Sequence, residues 1–262
     1  MLSARQPDPV AEVDAAYSEG RRLREAALEE HRTRRQVWES KYAIRACYQG
    51  WFDRLRPFIV SGPSVEVGAG TGHVKSFWAD LIETDVVATP WVDLVADGMR
   101  LPFLDARLSN LLVIDLLHHL ADPHAFFDEA ARVLRPGGRV LAIEPYITPL
   151  SWVGYRLLHH EDVYFGGYHR GGDKSDPWAG NLAVPNLLFG RERREWPHRH
   201  PSLRIVHLRR FSLFDFQLAG GFKSYAFIGR RWLYDRILQA DRLLEWLAPM
   251  TGFRIFAVIE RT

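Results

Sequence analysis

The chain has 262 residues, of which 47% are hydrophobic and 25% charged, and its formal net charge is +2. A chain of this length can bury one sizeable core, and its apolar stretches are shorter than the about 20 residues that cross a bilayer. A single cysteine, Cys47, excludes an intrachain disulfide and gives no metal-ligand spacing. No basic segment followed by an apolar one opens the chain, so we expect a cytoplasmic protein without a signal peptide.

The positive charge is concentrated in residues 188–236, where eleven Lys and Arg stand against four Asp and Glu. Such a segment can contact an anionic substrate, a nucleic acid or an acidic lipid surface. A solvated basic face explains the same composition without any ligand, and we favour that interpretation.

The first half of the chain alternates between helical and strand patterns. Apolar residues at helical intervals predict helix within residues 11–58, and residues 73–82 predict a short helix. Asp122, an N-cap residue followed by Pro123, begins a further helix, which the Pro136-Gly137-Gly138 run ends. Short apolar runs bounded by turn residues predict five strands, at 64–67, 82–87, 91–96, 109–115 and 138–144. This alternation favours a parallel sheet covered on both faces, with the ligand site beyond the carboxyl ends of the strands.

The second half of the chain begins with a segment that has no regular period. Residues 146–180 are rich in aromatic residues and glycine, which is typical of a lid or a binding element. Beyond them we predict, in chain order, a helix at 181–196, a strand at 202–211, a helix at 231–250 and a last strand at 253–261.

The stretch "VEVGAGTGHV", residues 65–74, leads from the first strand into three glycines. A dinucleotide-binding loop needs G-x-G-x-x-G, but His73 occupies the last glycine position, and the Gly-Lys-Ser/Thr end of a P-loop is absent. Glu66, at the end of the strand, would repel a phosphate. These residues favour a ligand with an ammonium and a sulfonium group and without a phosphate.

Four segments in order, "VEVGAGTG", "ADGMRLPF", "LLVIDLLHHLADP" and "ARVLRPGGRVLAIEP", resemble the class I S-adenosylmethionine-dependent methyltransferases. The resemblance covers about residues 64–145 and is strongest to the ubiquinone/menaquinone-biosynthesis-like (methyltransferase type 11) subgroup. It implies an α/β, Rossmann-like fold with a mostly parallel seven-stranded sheet of order 3-2-1-4-5-7-6, the last strand antiparallel, and helices on both faces. It also implies S-adenosyl-L-methionine as the cofactor.

The resemblance implies a role for each matching residue. Glu66, Gly68 and Gly70 would hold the methionine end of the cofactor, and Asp97 would accept a hydrogen bond from the adenine amino group. Asp115 would face the methionine moiety or the sulfonium. The cofactor-binding residues that it implies are Glu66, Gly68, Ala69, Gly70, Gly72, Asp85, Asp97, Gly98, Met99 and Asp115.

Asp85 is the candidate that would bind the ribose hydroxyls, provided that its strand ends close to it. Only about six residues join its strand to the next, whereas a parallel crossover usually takes a dozen or more, so one helix must be nearly missing. If the strand continues to Thr89, Asp85 lies inside it and the ribose contact is lost.

Three residues near the carboxyl ends of the fourth and fifth strands are candidates for catalysis: His118, His119 and Glu144. Either histidine can serve as a general base, and the alternative for His119 is a hydrogen bond that fixes the loop. We expect no metal site, because the four adjacent residues of "HHED", 159–162, cannot all point to one ion.

Substrate class and domain organisation follow from the same features. The Asn/Asp-Pro-Pro-aromatic stretch of amino-methylating enzymes is absent, which favours methyl transfer to an O or C nucleophile, and the aromatic segments suggest a small, apolar or lipid-like acceptor. The alternatives are an RNA methyltransferase that uses the basic residues 191–236 and a non-catalytic, cofactor-binding regulator. Contact with a membrane surface remains open. We expect residues 1–58 to form a helical segment that caps the cofactor site, and residues 59–262 the methyltransferase domain, with insertions at about 146–180 and 212–250.

Overall fold

The computed structural model describes residues 9–158, 161–169, 180–223 and 228–262. Parts of the predicted N-terminal segment and of both insertions lie outside the described residues, as do His159 and His160 of the "HHED" stretch. Among the described residues, no helix has both the length and the apolar character needed to cross a bilayer.

A seven-stranded sheet of order β3-β2-β1-β4-β5-β7-β6 forms the centre of the molecule. The strands pair in parallel except for β7, which is antiparallel to both β5 and β6. The predicted sheet order and the antiparallel last strand are therefore confirmed. The strands are β1 Ser64–Val67, β2 Ile82–Asp85, β3 Leu94–Val95, β4 Leu108–Ile114, β5 Leu134–Pro145, β6 Leu203–Phe211 and β7 Arg254–Arg261.

Two long helices precede the sheet, and the remaining helices lie between or after its strands. They are α1 Pro9–Ser40, α2 Tyr42–Leu55, α3 Pro123–Val133, α4 Pro149–Leu158, α5 Val184–Asn186, α6 Trp196–Arg199, α7 Asp215–Ala219, α8 Arg231–Leu243 and α9 Ala248–Thr251. A π-helical turn, Leu187–Arg191, follows α5, and 3₁₀ turns occur at Arg56–Phe58, Val74–Ser76 and Glu245–Leu247.

The strands of the sheet centre are buried on both faces, which explains their nearly continuous apolar sequence. Alternate residues of β4 belong to different cores: Leu111 and Val113 pack with α3, whereas Leu112 packs with α2 on the opposite face. Helices on both faces thus fix the position of the strand ends that carry the candidate site.

The predicted helix at 73–82 is wrong. The chain makes one 3₁₀ turn, Val74–Ser76, and the N–H of Leu81 donates to the carbonyl of Trp78 as the chain enters β2. The crossover from β2 to β3, residues 86–93, contains no helix, as the short link required. Asp93 closes this crossover, because its carboxylate accepts the N–H of Glu83 and pairs with Lys75.

The predicted helices at 181–196 and 231–250 are interrupted. In the first, Pro185 cannot donate to a helical ladder, and the structure has the short helix α5 followed by a π-helical turn that ends at Arg191. The next helix, α6, begins only at Trp196. In the second, α8 ends at Leu243, and Pro249 lies in the first turn of the separate helix α9. Apolar periodicity predicts continuous helices here, but the prolines begin new, shorter helices instead.

Asp122 caps α3 as predicted, since its Oδ1 accepts the N–H groups of His124 at 2.9 Å and Ala125 at 3.2 Å. Replacing it by alanine leaves two donors of the first turn without this partner. We expect Asp122→Ala to lower the free energy of unfolding by about 1 kcal/mol in urea titrations. The exposed Asp80→Ala is the matched control, and an equal loss in both variants would contradict the capping role.

Candidate active site

The glycine loop after β1 is tied to the neighbouring strand β2. Gly68, Gly70 and Gly72 have φ of +75°, +51° and +61°, a region that favours glycine. The N–H groups of Gly68 and Ala69 both donate to the carbonyl of Thr84 at 2.9 Å. A Cβ on Gly72 would lie 2.4 Å from Cδ1 of Trp91, so this glycine is needed for packing rather than for approach to a ligand.

Asp85 is the last residue of β2, so the condition set for it by the sequence is met. Its Oδ2 accepts the N–H of Gly70 at 2.8 Å, and its Oδ1 accepts the N–H of Val87 at 2.8 Å. Asp85 also lines the cavity above the loop. The carboxylate therefore positions the glycine loop and faces the space where a cofactor would lie.

Glu66 is buried beneath this loop, with only 3% of its surface exposed. Its Oε2 has no hydrogen-bond partner among the described residues. Burial, together with the nearby Glu83 and Asp85, raises the pKa of Glu66 well above its usual value. A buried carboxyl group in this position is suited to a cationic ligand group, because an ammonium would satisfy the oxygen and favour its ionised form.

A cavity of about 440 Å³ lies above the glycine loop and extends to the ends of β4, β5 and β7. This volume is within the range of about 300–1,000 Å³ typical of small-ligand sites. Eight of the predicted site residues line it: Gly68, Ala69, Gly70, Asp85, Gly98, Asp115, His118 and His119. Five others do not line it: Glu66, Gly72, Asp97, Met99 and Glu144.

Asp97 and Met99 form a turn beside the cavity. Asp97 is exposed, and its Oδ1 accepts the N–H of Met99 at 2.9 Å, while Gly98 between them is buried and lines the cavity. The turn brings backbone atoms to the cavity wall. A contact between the Asp97 side chain and adenine stays a prediction.

Helix α1 lies over the glycine loop. Glu30, His31 and Arg34 of this helix line the cavity. Arg35 donates to the carbonyl of Thr71 at 2.7 Å, and its guanidinium lies 5.0 Å from the ring centroid of Trp91. A helix that precedes the sheet in the sequence thus forms part of the cavity wall beside the glycine loop.

Asp115 and Arg254 form an ion pair at the ends of β4 and β7. Arg254 is buried, and its guanidinium lies 4.8 Å from the Trp51 ring centroid and 4.5 Å from that of Phe216. Burial alone would lower the pKa of the Arg254 guanidinium. The neighbouring Asp115 carboxylate has the larger combined effect with nearby groups, so the pKa is raised above its usual value. Arg254 was not predicted as a site residue. An arginine at the start of an otherwise apolar strand could have indicated a buried ion pair.

The catalytic candidates form a cluster with one further residue, Glu161. Nδ1 of His118 lies 2.7 Å from Oε2 of Glu144, and its Nε2 lies 3.3 Å from Oε2 of Glu161. We call His118, His119, Glu144 and Glu161 the histidine cluster. The rings of His118 and His119 lie 4.1 Å apart.

Two of the candidates differ from the expected roles. Glu144 is fully buried below the cavity, where its Oε1 accepts the N–H groups of Leu116 and Leu117 at 2.8 and 2.7 Å. Burial lowers the pKa of His118, but hydrogen bonds with Glu144 and Glu161 outweigh this effect and raise it to about 10. Both ring nitrogens of His118 contact carboxylates, so neither is directed to an acceptor as a general base. His119 also lines the cavity, and of the three catalytic candidates it is the one that we consider for contact with the acceptor.

Residues 65–142 match the protein family described as a methyltransferase domain. Demethylmenaquinone methyltransferase of Streptomyces griseus is 34% identical over 73 residues, which are 28% of this chain and 31% of that protein. The 27-O-demethylrifamycin SV methyltransferase of Amycolatopsis mediterranei is 47% identical over 54 residues, 21% of this chain and 20% of that protein. This chain therefore spans less than a third of the length of either curated relative.

Solved structures show the same fold at low sequence identity. A methyltransferase of Archaeoglobus fulgidus described as S-adenosylmethionine-dependent has a TM-score of 0.50 and 13% identity, covering 83% of this chain and 94% of its own. A Thermotoga maritima protein described as a possible histamine N-methyltransferase has a TM-score of 0.53 and 13% identity, covering 84% and 91%. At this identity the likeness concerns the fold.

The sheet order and the glycine loop at the carboxyl end of β1 define a class I methyltransferase fold. Residues 65–142, which match the methyltransferase family, form the part of this fold that is similar in sequence to demethylmenaquinone methyltransferase. The predicted family and cofactor are thereby confirmed.

His73, in the cavity wall, provides a pH test of the packing between α1 and the loop. Burial, with Arg35 nearby, lowers its pKa to about 3, and its ring stacks on Trp38 at 4.2 Å. Below about pH 6.5 the unfolded chain gains a proton at this histidine that the folded protein does not bind. The free energy of unfolding therefore decreases as the pH is lowered. We expect this residue to remove about 1–2 kcal/mol from the free energy of unfolding between pH 7 and pH 5.

Urea titrations of the wild type and His73→Phe at both pH values isolate this contribution. The variant keeps an aromatic ring against Trp38 and lacks the titrating group, so its loss over the same interval should be smaller by that amount. Equal losses in the two proteins would show that His73 is not held neutral.

Proposed function

We propose that this protein transfers the methyl group of S-adenosylmethionine to an O or C nucleophile of a small, apolar or lipid-like metabolite. The observation that carries the proposal is the carboxyl oxygen of Glu66, which is buried without a hydrogen-bond partner in the described part of the chain, beneath a glycine loop that lines a cavity. The same cavity is lined by this loop and by His119, so cofactor and acceptor can lie in one space.

The methionine end of the cofactor would lie against the glycine loop. Glu66 would pair with the ammonium group, and the backbone of Gly68, Ala69 and Gly70 would approach the ligand without side chains in between. Gly72 acts indirectly, since its close packing on Trp91 shapes the loop. Asp115, on the cavity wall, would face the methionine moiety.

The nucleoside would lie towards β2 and the turn after β3. Asp85 keeps lone pairs on both oxygens beyond the two backbone N–H groups that it accepts, and these can accept the ribose hydroxyls. Gly98 lines the same region, so the proposed adenine contacts are the Gly98 and Met99 backbone and the exposed Asp97 carboxylate.

The cofactor supplies an electrophilic methyl group, and the remaining work of the protein is alignment and exclusion of water. Alignment of two reactants can be worth about 7–11 kcal/mol of barrier in favourable cases. Tyr155, Phe216, Phe222 and Phe253 line the cavity, which suits an apolar acceptor. We propose that residues 1–58 act as the cap, since α1 supplies Glu30, His31 and Arg34 to the cavity lining. His119 would contact the nucleophile of the acceptor.

The RNA alternative receives less support from the charged residues of 191–236. Three of its arginines are paired with acids outside the segment, so this surface is less positive than the composition of the segment suggests: Arg199 with Asp128, Arg204 with Glu260 and Arg209 with Glu245. A salt-dependent shift of RNA in gel electrophoresis would favour that alternative over a small acceptor.

Calorimetry with S-adenosylhomocysteine tests the cofactor site. We expect Glu66→Gln to weaken binding about 10- to 100-fold, because a hydrogen bond to a charged group contributes about 1.5–3 kcal/mol. Gly70→Val should abolish binding, since Gly70 has φ of +51° and a Cβ there would press on His31 at 3.3 Å. Glu260→Gln, at the opposite end of the sheet, is the matched control and should bind as the wild type. Absence of binding by the wild type would remove the proposal.

A screen of radiolabelled methyl transfer to phenols, quinones and glycolipids tests the reaction. We expect incorporation into at least one apolar acceptor, and we expect the Glu66→Gln variant to lose it in proportion to its cofactor affinity. Tight binding of S-adenosylhomocysteine without transfer to any acceptor would instead favour the cofactor-binding regulator.

A further inference from the structure

His118, His119 and Glu161 bring three ligand atoms of metal-binding type to within 4.8 Å of one another on the cavity wall. We propose that these three residues bind one divalent transition-metal ion of the zinc class, next to the acceptor. Two imidazoles and a carboxylate suit such an ion better than Mg²⁺ or Ca²⁺, which prefer oxygen ligands. The inference rests on the proposed function, because the ion would act on the acceptor of the methyl group.

The spacing of one pair of ligand atoms matches that of a zinc site. Zinc bonds to nitrogen and oxygen are about 2.0–2.1 Å long, so two ligand atoms of a tetrahedral site lie about 3.3–3.4 Å apart. Nε2 of His118 and Oε2 of Glu161 are 3.3 Å apart. The pair can therefore receive an ion between them with little movement.

Glu144 holds the first ligand in the orientation that metal sites require. Its Oε2 lies 2.7 Å from Nδ1 of His118, while its Oε1 is fixed by the backbone N–H groups of Leu116 and Leu117. A metal-bound histidine usually donates its other ring N–H to such a buried carboxylate, which fixes the tautomer. Nε2 of His118 is thereby directed to Glu161 and the cavity.

Gly180 packs closely against the other two ligand residues. A Cβ at this residue would lie 2.9 Å from Oε2 of Glu161 and 3.0 Å from Nδ1 of His119. Any larger residue would therefore displace both side chains from their present positions. The arrangement of Glu161 and His119 thus depends on a glycine at this position.

The ion would define the acceptor more closely as a hydroxylated molecule. Three protein ligands leave a fourth position open, as in catalytic zinc sites, and this side of the cluster faces the cavity. An acceptor hydroxyl bound there would have a lowered pKa and release its proton to water. The oxygen then forms the bond to the methyl carbon, and the electron pair of the broken sulfur–carbon bond stays on sulfur.

The four adjacent residues of "HHED" predict no metal site when they are considered as a unit. Of that stretch, Glu161 joins a histidine pair 42 positions earlier in the chain, a distance at which no ligand spacing can be recognised. A competing explanation needs no ion: a proton on His118 also satisfies both carboxylates. The experiment separates the two.

The test is calorimetry with Zn²⁺ and Co²⁺ on the full-length, tag-free protein after treatment with dipicolinate. We expect one equivalent of metal with a dissociation constant of about micromolar or below, and visible Co²⁺ absorption typical of four- or five-coordination. His119→Ala and Glu161→Gln should weaken binding at least about 100-fold. Gly180→Ala, which keeps every ligand but displaces Glu161 and His119, should weaken it at least about 10-fold. The exposed His198→Ala is the control and should bind as the wild type.

Binding of S-adenosylhomocysteine to the same variants distinguishes this inference from the proposed function. Intact cofactor binding with no metal uptake by the wild type at about 1 mM ion would overturn the metal site and leave the methyltransferase proposal standing. Metal binding that Glu161→Gln and Gly180→Ala leave unchanged would also overturn it, since the ion would then lie elsewhere. If Glu161→Gln fails to fold, Gly180→Ala and His119→Ala decide the matter by the same criteria.

Discussion

The candidate site depends on the attachment of the glycine loop to β2. Backbone N–H groups of the loop need partners once they leave the sheet, and the carbonyl of Thr84 and the carboxylate of Asp85 accept three of them. The loop can then keep left-handed conformations at three glycines without side chains that would enter the cavity. Without this attachment, Glu66 would not lie beneath a fixed turn, and helix α1 would have no rigid surface to cover.

Charged groups at the carboxyl ends of β4 and β5 and at the start of β7 organise the acceptor side. Each is compensated by a neighbour on another strand or loop: Asp115 by Arg254, and Glu144 by His118 and two backbone N–H groups. Charges so compensated can remain buried, and they hold their partners in defined positions. The side chains on the cavity wall are therefore positioned by strand ends rather than by flexible loops.

The sequence predicted the sheet well, because strands buried on both faces have apolar runs that turn residues delimit. β1, β4 and β7 follow the predicted ranges closely, and Asp122 begins α3 as its N-cap. Local periodicity failed where proline and short links decide the path, as at Pro185 and in the stretch before β2. It also could not assign Glu144 to the interior, since burial depends on how the loop after β4 folds over it.

The side chains around the acceptor were the hardest to predict, since they meet through the fold alone. Arg254 pairs with a residue 139 positions earlier, and Glu161 with one 43 positions earlier. No periodicity connects such residues. The glycine loop was recognisable because all its members lie within one short stretch.

The missing helix between β2 and β3 has a consequence for association between copies. It leaves Val86, Leu94 and Val95 exposed beside an outer strand, which in most sheets would invite a further strand to pair. β3 is only two residues long, however, so its outer edge has too few backbone donors and acceptors to support such a strand. The short length of β3 therefore protects this edge from pairing with another chain, as charged side chains do on longer edge strands.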